Sequence, residues 1–320
     1  MATPTPPQLL RLERENAHER DARVRFDEQA HVYFVDGVRY PTSVSGVVHE
    51  HFPHFDATAT IETYYERWKD DKNSKYNPLI NYLVGVLGFD DDTVKDQISN
   101  LWSSSGKQAS AAGTNTHFQI EMCLNEEEHV KDTPEFQQFL RWKDTHPTWV
   151  PYRAEWSIFA EKELLCGQID SIWKDTTDGT LHMVDWKRVI ELKMIAFKFE
   201  RGYEPFINMH NTNYYHYVVQ QNCYAWMLKT YYNVEVSSLA LVQVHPSIDN
   251  FIEWPLPFVY DKIDIVMERR RQRVDAGELK TIAASEVIAS KASIKEEKEM
   301  AKRKRLKTGL QRFVDSLLSE

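Results

Sequence analysis

Three apolar segments near the middle of the chain have the length and composition of β-strands. They cover Tyr152–Phe159, Leu164–Trp173 and Leu181–Val189. Each is rich in β-branched and aromatic residues, and the Asp178-Gly179 pair between the last two is typical of a hairpin turn. A further strand is predicted over Ser238–His245. This pattern indicates that a sheet in the second half of the chain forms the main core.

Helices are predicted before, between and after these strands. Residues 56–112 are expected to be largely helical, with a break near Asn77-Pro78. The remaining helical segments are residues 113–126, 135–145, 214–231 and 260–276. Helices and strands in this order predict an α/β fold, in which helices flank a central mixed β-sheet and a helical N-terminal elaboration precedes it.

Changes in composition divide the chain into four regions. They are a flexible N-terminal segment (1–25), a hairpin with a helical elaboration (26–112), the core (113–280) and a charged C-terminal tail (281–320). The first eight residues are proline-rich and are expected to be disordered. The hairpin is predicted around Asp36-Gly37, and Ser43 is a candidate cap for the helix that follows it.

Composition and charge limit the cellular compartments and the binding partners that are expected for the protein. Hydrophobic residues make up 42% of the 320 residues, but no run reaches the roughly eighteen apolar residues that a membrane-spanning helix needs. Three widely spaced cysteines favour a reducing intracellular compartment and are too few for a four-cysteine iron–sulfur cluster. The formal net charge of −9 argues against a general nucleic-acid coat protein. The basic stretch Lys302–Lys307 is either a nuclear localisation signal or part of a solvated charged helix.

Asp170, Asp185 and Lys187 stand out because they lie inside apolar strands, where unpaired charges are costly. Residues two apart in a strand point to the same side, so Asp185 and Lys187 are expected to project together. The predicted hairpin folds Asp170 back toward them. A charged strand edge is the simpler alternative. Two carboxylates beside an ammonium, however, suit a hard divalent cation and a phosphodiester.

A histidine and a glutamate form a second candidate group. His117 and Glu121 are four residues apart and therefore share one face of a helix. Gly113 is expected to form the turn that enters this helix, with Thr114 or Thr116 as its cap. An imidazole that faces two aspartates would add a nitrogen ligand and admit manganese as well as magnesium. Taken alone, such a pair is more often an ordinary surface or boundary pair.

A third group lies in the aromatic-rich helix. Gln220 and Tyr224 share a helix face, from which they could hold a phosphate or orient the lysine. The alternative is the polar border of a core helix. Glu155 lies in the strand before Asp170 and is a weaker candidate for the site. It could support the metal ligands from behind or face the substrate. A strand-surface glutamate is at least as good an interpretation of it.

In order along the chain, these motifs resemble the RecB-like branch of the PD-(D/E)XK nuclease superfamily. The pattern there is G-x-x-x-H-x-x-x-E, then G-x-x-D, D-x-K and Q-x-x-x-Y. The residues that carry it here are Gly113, His117, Glu121, Gly167, Asp170, Asp185, Lys187, Gln220 and Tyr224. The resemblance covers residues 100–245, with Ile169 where the superfamily name has proline and Asp185 as the second acid. Among its members, the chain is similar to clasp-free exonucleases such as those of mitochondrial genome maintenance and of viruses and phages.

The resemblance implies a metal-dependent deoxyribonuclease, in the first place an exonuclease for single-stranded DNA or DNA ends in replication, repair or recombination. It implies Mg²⁺ or Mn²⁺ and no iron–sulfur cluster. The implied metal ligands are His117, Asp170, Asp185 and the carbonyl of Trp186. The implied catalytic residues are Asp170, Asp185, Lys187 and Glu121. Contacts to the DNA are expected from Gln220, Tyr224, Arg188, Lys198 and Arg201.

Two other functions are compatible with the same motifs. One is a structure-specific DNA or RNA endonuclease of the same fold, although the glutamine–tyrosine helix favours the exonuclease side. The other is a non-catalytic nucleic-acid-binding protein on a decayed nuclease fold. Retention of all four motif cores argues against decay. The pattern leaves the oligomeric state and the direction of cleavage open.

Overall fold

The computed structural model describes residues 9–28 and 30–283. Its helices are α1 (Arg11–Glu15), α2 (Val44–Glu50), α3 (Ala57–Asp70), α4 (Asn77–Gly85), α5 (Asp91–Leu124), α6 (Pro134–Asp144), α7 (Asn213–Met227) and α8 (Tyr260–Asp275). Its strands are β1 (Val24–Asp27), β2 (Val32–Val35), β3 (Val38–Arg39), β4 (Thr42–Ser43), β5 (Trp149–Ala160), β6 (Leu165–Asp175), β7 (Leu181–Arg188), β8 (Ser238–Val244), β9 (Ile252–Leu256) and β10 (Ile282–Ala283). The proline-rich start and the stretch Lys302–Lys307 lie outside the described residues. No helix within the described part combines the length and the apolar character needed to cross a membrane.

The larger sheet is mixed and follows the strand order β4-β6-β7-β8-β9, with β5 along the other edge of β6. Strand β6 is antiparallel to β5 and β7, whereas β4 with β6 and β7 with β8 are parallel pairs. The predicted α/β fold with a mixed sheet and flanking helices is confirmed. The turn at Asp178-Gly179 is also confirmed, and Gly179 has the positive φ of 78° that favours glycine.

Helices cover both faces of this sheet, which explains why its central strands are apolar on both sides. On one face, α2, α7 and α8 pack on the sheet through residues such as Val44, Val218 and Met267. On the other face, the end of α5 and helix α6 pack around Trp186 of β7. Trp186 therefore has its indole in the core, while its main-chain amide and carbonyl contact Asp170 and His117.

Helix α5 is one continuous helix of 34 residues, about 50 Å long. Gly113 lies inside it, so the expected entry turn at Gly113 is wrong; the helix begins instead where Asp90 accepts a hydrogen bond from the Thr93 amide. The first turns of α5 pack with α3 and α4 in a separate apolar cluster, and its last turns pack on the sheet. Anchoring at both ends explains why the middle stays helical although residues 103–111 are exposed.

The N-terminal segment is packed against the core from α1 onward, although it was expected to be flexible to residue 25. Leu12 is only 1% exposed. The guanidinium of the buried Arg153 lies 2.7 Å from Asp21 and 2.8 Å from the Asn16 carbonyl. These apolar and charged contacts are long-range, so the local composition gave no sign of them. The hairpin predicted at Asp36-Gly37 is present between β2 and β3.

Candidate metal centre and its surroundings

The candidate site lies where β6 and β7 separate. Their pairing ends at Ser171 and Val184, and from there β7 continues alongside β8 alone. The carboxylate of Asp170 takes the next position of the ladder, with Oδ2 accepting a hydrogen bond of 2.9 Å from the Trp186 amide. The strand separation therefore brings Asp170 next to the Asp185-Trp186-Lys187 segment, as the hairpin prediction required.

Three side chains converge at this point from three different elements. The Nδ1 atom of His117, on α5, lies 3.5 Å from Oε1 of Glu155 on β5 and 3.5 Å from Oδ2 of Asp170 on β6. Nε2 of His117 donates to the carbonyl of Trp186 at 2.8 Å. Within the described residues, His117, Glu155 and Asp170 are the group of potential metal ligands whose donor atoms all lie within 4.8 Å of one another.

Asp185 and Lys187 project from the same side of β7, as the two-residue spacing predicted. Nζ of Lys187 lies 2.7 Å from Oδ2 of Asp185 and 3.9 Å from Oδ2 of Asp170. The other oxygen of Asp185 accepts a hydrogen bond of 2.7 Å from the amide of Gln221 on α7. The ring of Tyr217, one helical turn earlier, has its centroid 4.9 Å from the ammonium. Both carboxylate oxygens of Asp185 are thus engaged.

Burial and charge act against each other in this cluster. Burial disfavours the charged form of His117, but Asp170 and Glu155 outweigh it and raise the pKa of the imidazole to about 9. Burial raises the pKa of Asp185 to about 7 and also raises that of Glu155. For Lys187, the two aspartates more than compensate burial and raise its pKa, so the lysine is a cation at neutral pH. The carboxylates of the site therefore favour the protonated, cationic forms of His117 and Lys187.

Glu121 lies beside this group. It lines, together with Glu155, a cavity of about 200 Å³ that also contains Glu13, Asp21 and Arg153. Burial and the charge of Glu155 raise the pKa of Glu121 to about 7. Its position one turn after His117 on α5 agrees with the predicted shared face.

Gln220 and Tyr224 lie along the stripe of α7 that faces α2 and β6. The Gln220 amide donates to Oγ of Ser45 at 3.3 Å. Tyr224 is buried, and its ring edge lies where a side chain at Gly167 would stand. The glycine of the G-x-x-D motif therefore permits the close approach of α7 to β6. Tyr224 has a packing role in this arrangement, behind Asp170.

The three basic residues expected to contact DNA lie in different surroundings. Arg188 is engaged by Glu135 of α6 at 2.7 Å. Lys198 has its ammonium 5.4 Å from the centroid of the Tyr64 ring. Arg201 donates to the Asn208 carbonyl at 3.2 Å and its guanidinium is exposed. Of the three, only Lys198 and Arg201 present an exposed side chain.

Glu155, Gln221 and Tyr217 belong to the cluster but were not among the predicted site residues. The sequence makes Glu155 only a weaker candidate, because a glutamate on a strand gives no local sign of what faces it. Its position depends on the antiparallel register of β5 and β6, in which the neighbouring residue Ala154 pairs with Ser171. Gln221 and Tyr217 are four residues apart on α7, so the same helical spacing that selected Gln220 and Tyr224 would also have found them.

The donor set fits a small divalent cation. Adjacent ligands of an octahedral ion with bonds near 2.1 Å lie about 3 Å apart, and Nδ1 of His117 lies 3.5 Å from a carboxylate oxygen of Glu155 and of Asp170. The carbonyl of Trp186, which was expected as a further ligand, accepts instead from Nε2, the other ring nitrogen of His117. An imidazole nitrogen with carboxylate oxygens suits magnesium or manganese. No protein-family model and no curated protein matches the chain. The functional interpretation of the site therefore depends on its geometry and on the order of the motifs.

Proposed function

We propose that the protein is a metal-dependent nuclease that hydrolyses phosphodiester bonds in DNA. The observation that carries the proposal is the convergence of the donor atoms of His117, Glu155 and Asp170 within 4.8 Å of one another, with the ammonium of Lys187 3.9 Å from Asp170. Metal ligands beside a fixed cation are the two components that phosphodiester hydrolysis requires.

The ion would be held by Nδ1 of His117 and by the carboxylates of Glu155 and Asp170, while the carbonyl of Trp186 orients the ring by accepting from Nε2. When bound, it would supply a Lewis acid and a water of lowered pKa. The ion would take the nitrogen on which the carboxylates now favour a proton, so metal and proton would compete for His117. Asp185 remains a candidate ligand if it exchanges its contact with Lys187 for the ion.

Lys187 is proposed to bind the phosphate. Its raised pKa means that it keeps its proton, so it acts as a donor to a phosphate oxygen and as a charge opposite the pentavalent transition state. Asp185 and Gln221 fix its position, because Oδ2 of Asp185 forms an ion pair with the ammonium and Oδ1 accepts a hydrogen bond from the Gln221 amide. The lysine is thus held in place before the substrate arrives, which lowers the reorganisation needed during the reaction.

An exonuclease acting on single-stranded DNA or DNA ends is the form of the activity that the motif order favours. The acidic chain requires local contacts with the strand, and the exposed Lys198 and Arg201 are proposed to supply them. An intracellular compartment goes with this proposal, and the stretch Lys302–Lys307 would direct the protein to the nucleus if it acts as a localisation signal.

The experiment is cleavage of labelled DNA with Mg²⁺ or Mn²⁺ by the wild type and by the Asp185→Ala and Lys187→Ala variants. The wild type is expected to cut, and each variant to lose about 100-fold or more of the rate. Equal cutting by all three proteins would refute the mechanism. Linear and closed-circular single strands tested in parallel separate an exonuclease, which needs an end, from an endonuclease.

A further inference from the structure

A cavity of about 240 Å³ lies between α2 and α7, next to the proposed catalytic lysine. Its lining consists of Ser45, Val48, His49, Asn213, His216, Tyr217 and Gln220. Tyr217 forms part of its wall and also lies against Lys187, whose ammonium is 4.9 Å from the ring centroid. A group in the cavity would therefore be one side chain away from a phosphate held by Lys187.

We propose that this cavity receives one unpaired base of the DNA strand whose phosphate lies at Lys187. The inference rests on the proposed nuclease function and names the part of the substrate that the chain recognises beside the scissile bond. It assigns to Ser45, His49 and His216 a binding role that the four nuclease motifs do not give them.

The lining favours a base over a phosphate. It contains no lysine, arginine, aspartate or glutamate, whereas phosphate binding uses cationic side chains. His216 adds no charge, because burial lowers its pKa to about 4. Imidazole and phenol rings are instead the surfaces on which unpaired bases stack.

One polar atom of the lining lacks a partner. Oε1 of Gln220 is buried and accepts no hydrogen bond from the described residues, while its amide nitrogen donates to Ser45. A buried acceptor without a donor is unfavourable, because it has lost its hydrogen bond to water. The edges of DNA bases carry N–H groups that would satisfy it.

The position of the cavity also favours a DNA strand whose bases are unpaired. It lies in the groove between two packed helices, so a base could enter only after leaving a duplex stack. The terminal nucleotide of a strand and the nucleotides of a single strand meet this condition at the lowest energetic cost.

The test uses tetranucleotides, either intact or with one base removed at each residue in turn, and measures their affinity by calorimetry in EDTA. Loss of one particular base should weaken binding to the wild type by roughly 5- to 100-fold. Ser45→Leu, which fills the cavity from an exposed helix position, should bind the intact tetranucleotide as weakly as the abasic one. His49→Ala, at the mouth of the cavity, should make the affinity depend less on that base than it does in the wild type. Ser247→Leu, an exposed loop serine outside the cavity, is the matched control and should behave as the wild type.

The pocket is refuted if removing each base in turn leaves the affinity of the wild type unchanged. It is also refuted if Ser45→Leu loses as much affinity as the wild type when that base is removed. Cleavage with Mg²⁺ or Mn²⁺ is measured separately on the same proteins. Cleavage without base dependence would overturn the pocket alone. Base dependence without any cleavage would overturn the nuclease function and leave the pocket standing.

Discussion

Glu155 and Asp170 lie between the pairs Ala154–Ser171 and Trp156–Ile169 of the antiparallel strands β5 and β6, and both carboxylates are 3.5 Å from Nδ1 of His117. Glu155 also has a positive φ of 44°, which is unusual for a residue other than glycine. Such a conformation costs of order 1–3 kcal/mol and persists only where the surrounding structure holds it. Two acids forced together by strand pairing are expected to need a cation between them.

The first prediction concerns metal affinity. Glu155→Gln keeps the shape of the side chain and removes one charged ligand, so it should weaken Mn²⁺ binding by about tenfold or more. Calorimetric titration of the purified protein with Mn²⁺ measures this directly. Glu235→Gln changes an exposed glutamate that pairs with Lys229 and is the matched control. Equal affinity of the wild type and Glu155→Gln would remove Glu155 from the site.

Local pattern was sufficient to predict the main sheet and part of the site. The hairpin at Asp178-Gly179 and the two-residue spacing of Asp185 and Lys187 are properties of neighbouring residues, and the structure has both. The metal and catalytic roles of these residues stay predictions. Local signals of this kind reach as far as one strand, one turn or one helix face.

What the sequence could not give depends on contacts between distant segments. Glu155 reaches the cluster through the register of β5 and β6, which no local pattern encodes. The continuous α5 was missed because Gly113 was interpreted as a turn, although a glycine in a helix costs only about 1 kcal/mol and both ends of this helix are anchored. On α7, one residue turns the helix by about 100°, and this separates Gln221, which contacts Asp185, from the predicted Gln220.

The second prediction separates these two glutamines. Gln221→Ala leaves a buried oxygen of Asp185 without its donor, so the free energy of unfolding should fall by about 1–3 kcal/mol. Cleavage should also slow, because Asp185 then holds Lys187 less firmly. Gln220→Ala removes a bond of 3.3 Å to a hydroxyl and should change stability by less than about 1 kcal/mol. Urea unfolding measures both variants, and a larger loss for Gln220→Ala would contradict the assignment.

The third prediction compares two glycines of the motif pattern. A Cβ at Gly167 would overlap the ring of Tyr224 and lie 3.1 Å from a methyl group of Val44. Gly167→Ala should therefore destabilise the protein by about 1–3 kcal/mol. A Cβ at Gly113 meets nothing within 4 Å and lies inside α5, so Gly113→Ala should stabilise it by up to about 1 kcal/mol. Thermal unfolding should shift in opposite directions, and a shift in the same direction would refute the packing account.

The fourth prediction concerns pH. Burial raises the pKa of Glu121 from 4.5 to about 7, so the folded protein keeps a proton that the unfolded chain releases. The contribution of this group to stability is complete below pH 4.5 and is lost as the pH rises through 7. In metal-free buffer, the unfolding free energy of the wild type should fall relative to that of Glu121→Gln across this interval. Parallel curves for the two proteins would show that Glu121 titrates normally.

The most direct test of the metal centre is the single-turnover rate of DNA cleavage, with saturating Mn²⁺, by the wild type and by Asp170→Asn. Asp170 is the residue that contacts both His117 and the Trp186 amide, so its charge should be needed for catalysis. Asp178→Asn, in the turn of the same hairpin, is the control and should cut at the wild-type rate. The predicted result is a loss of about 100-fold or more in Asp170→Asn alone; a rate equal to that of the wild type would contradict the proposed metal centre.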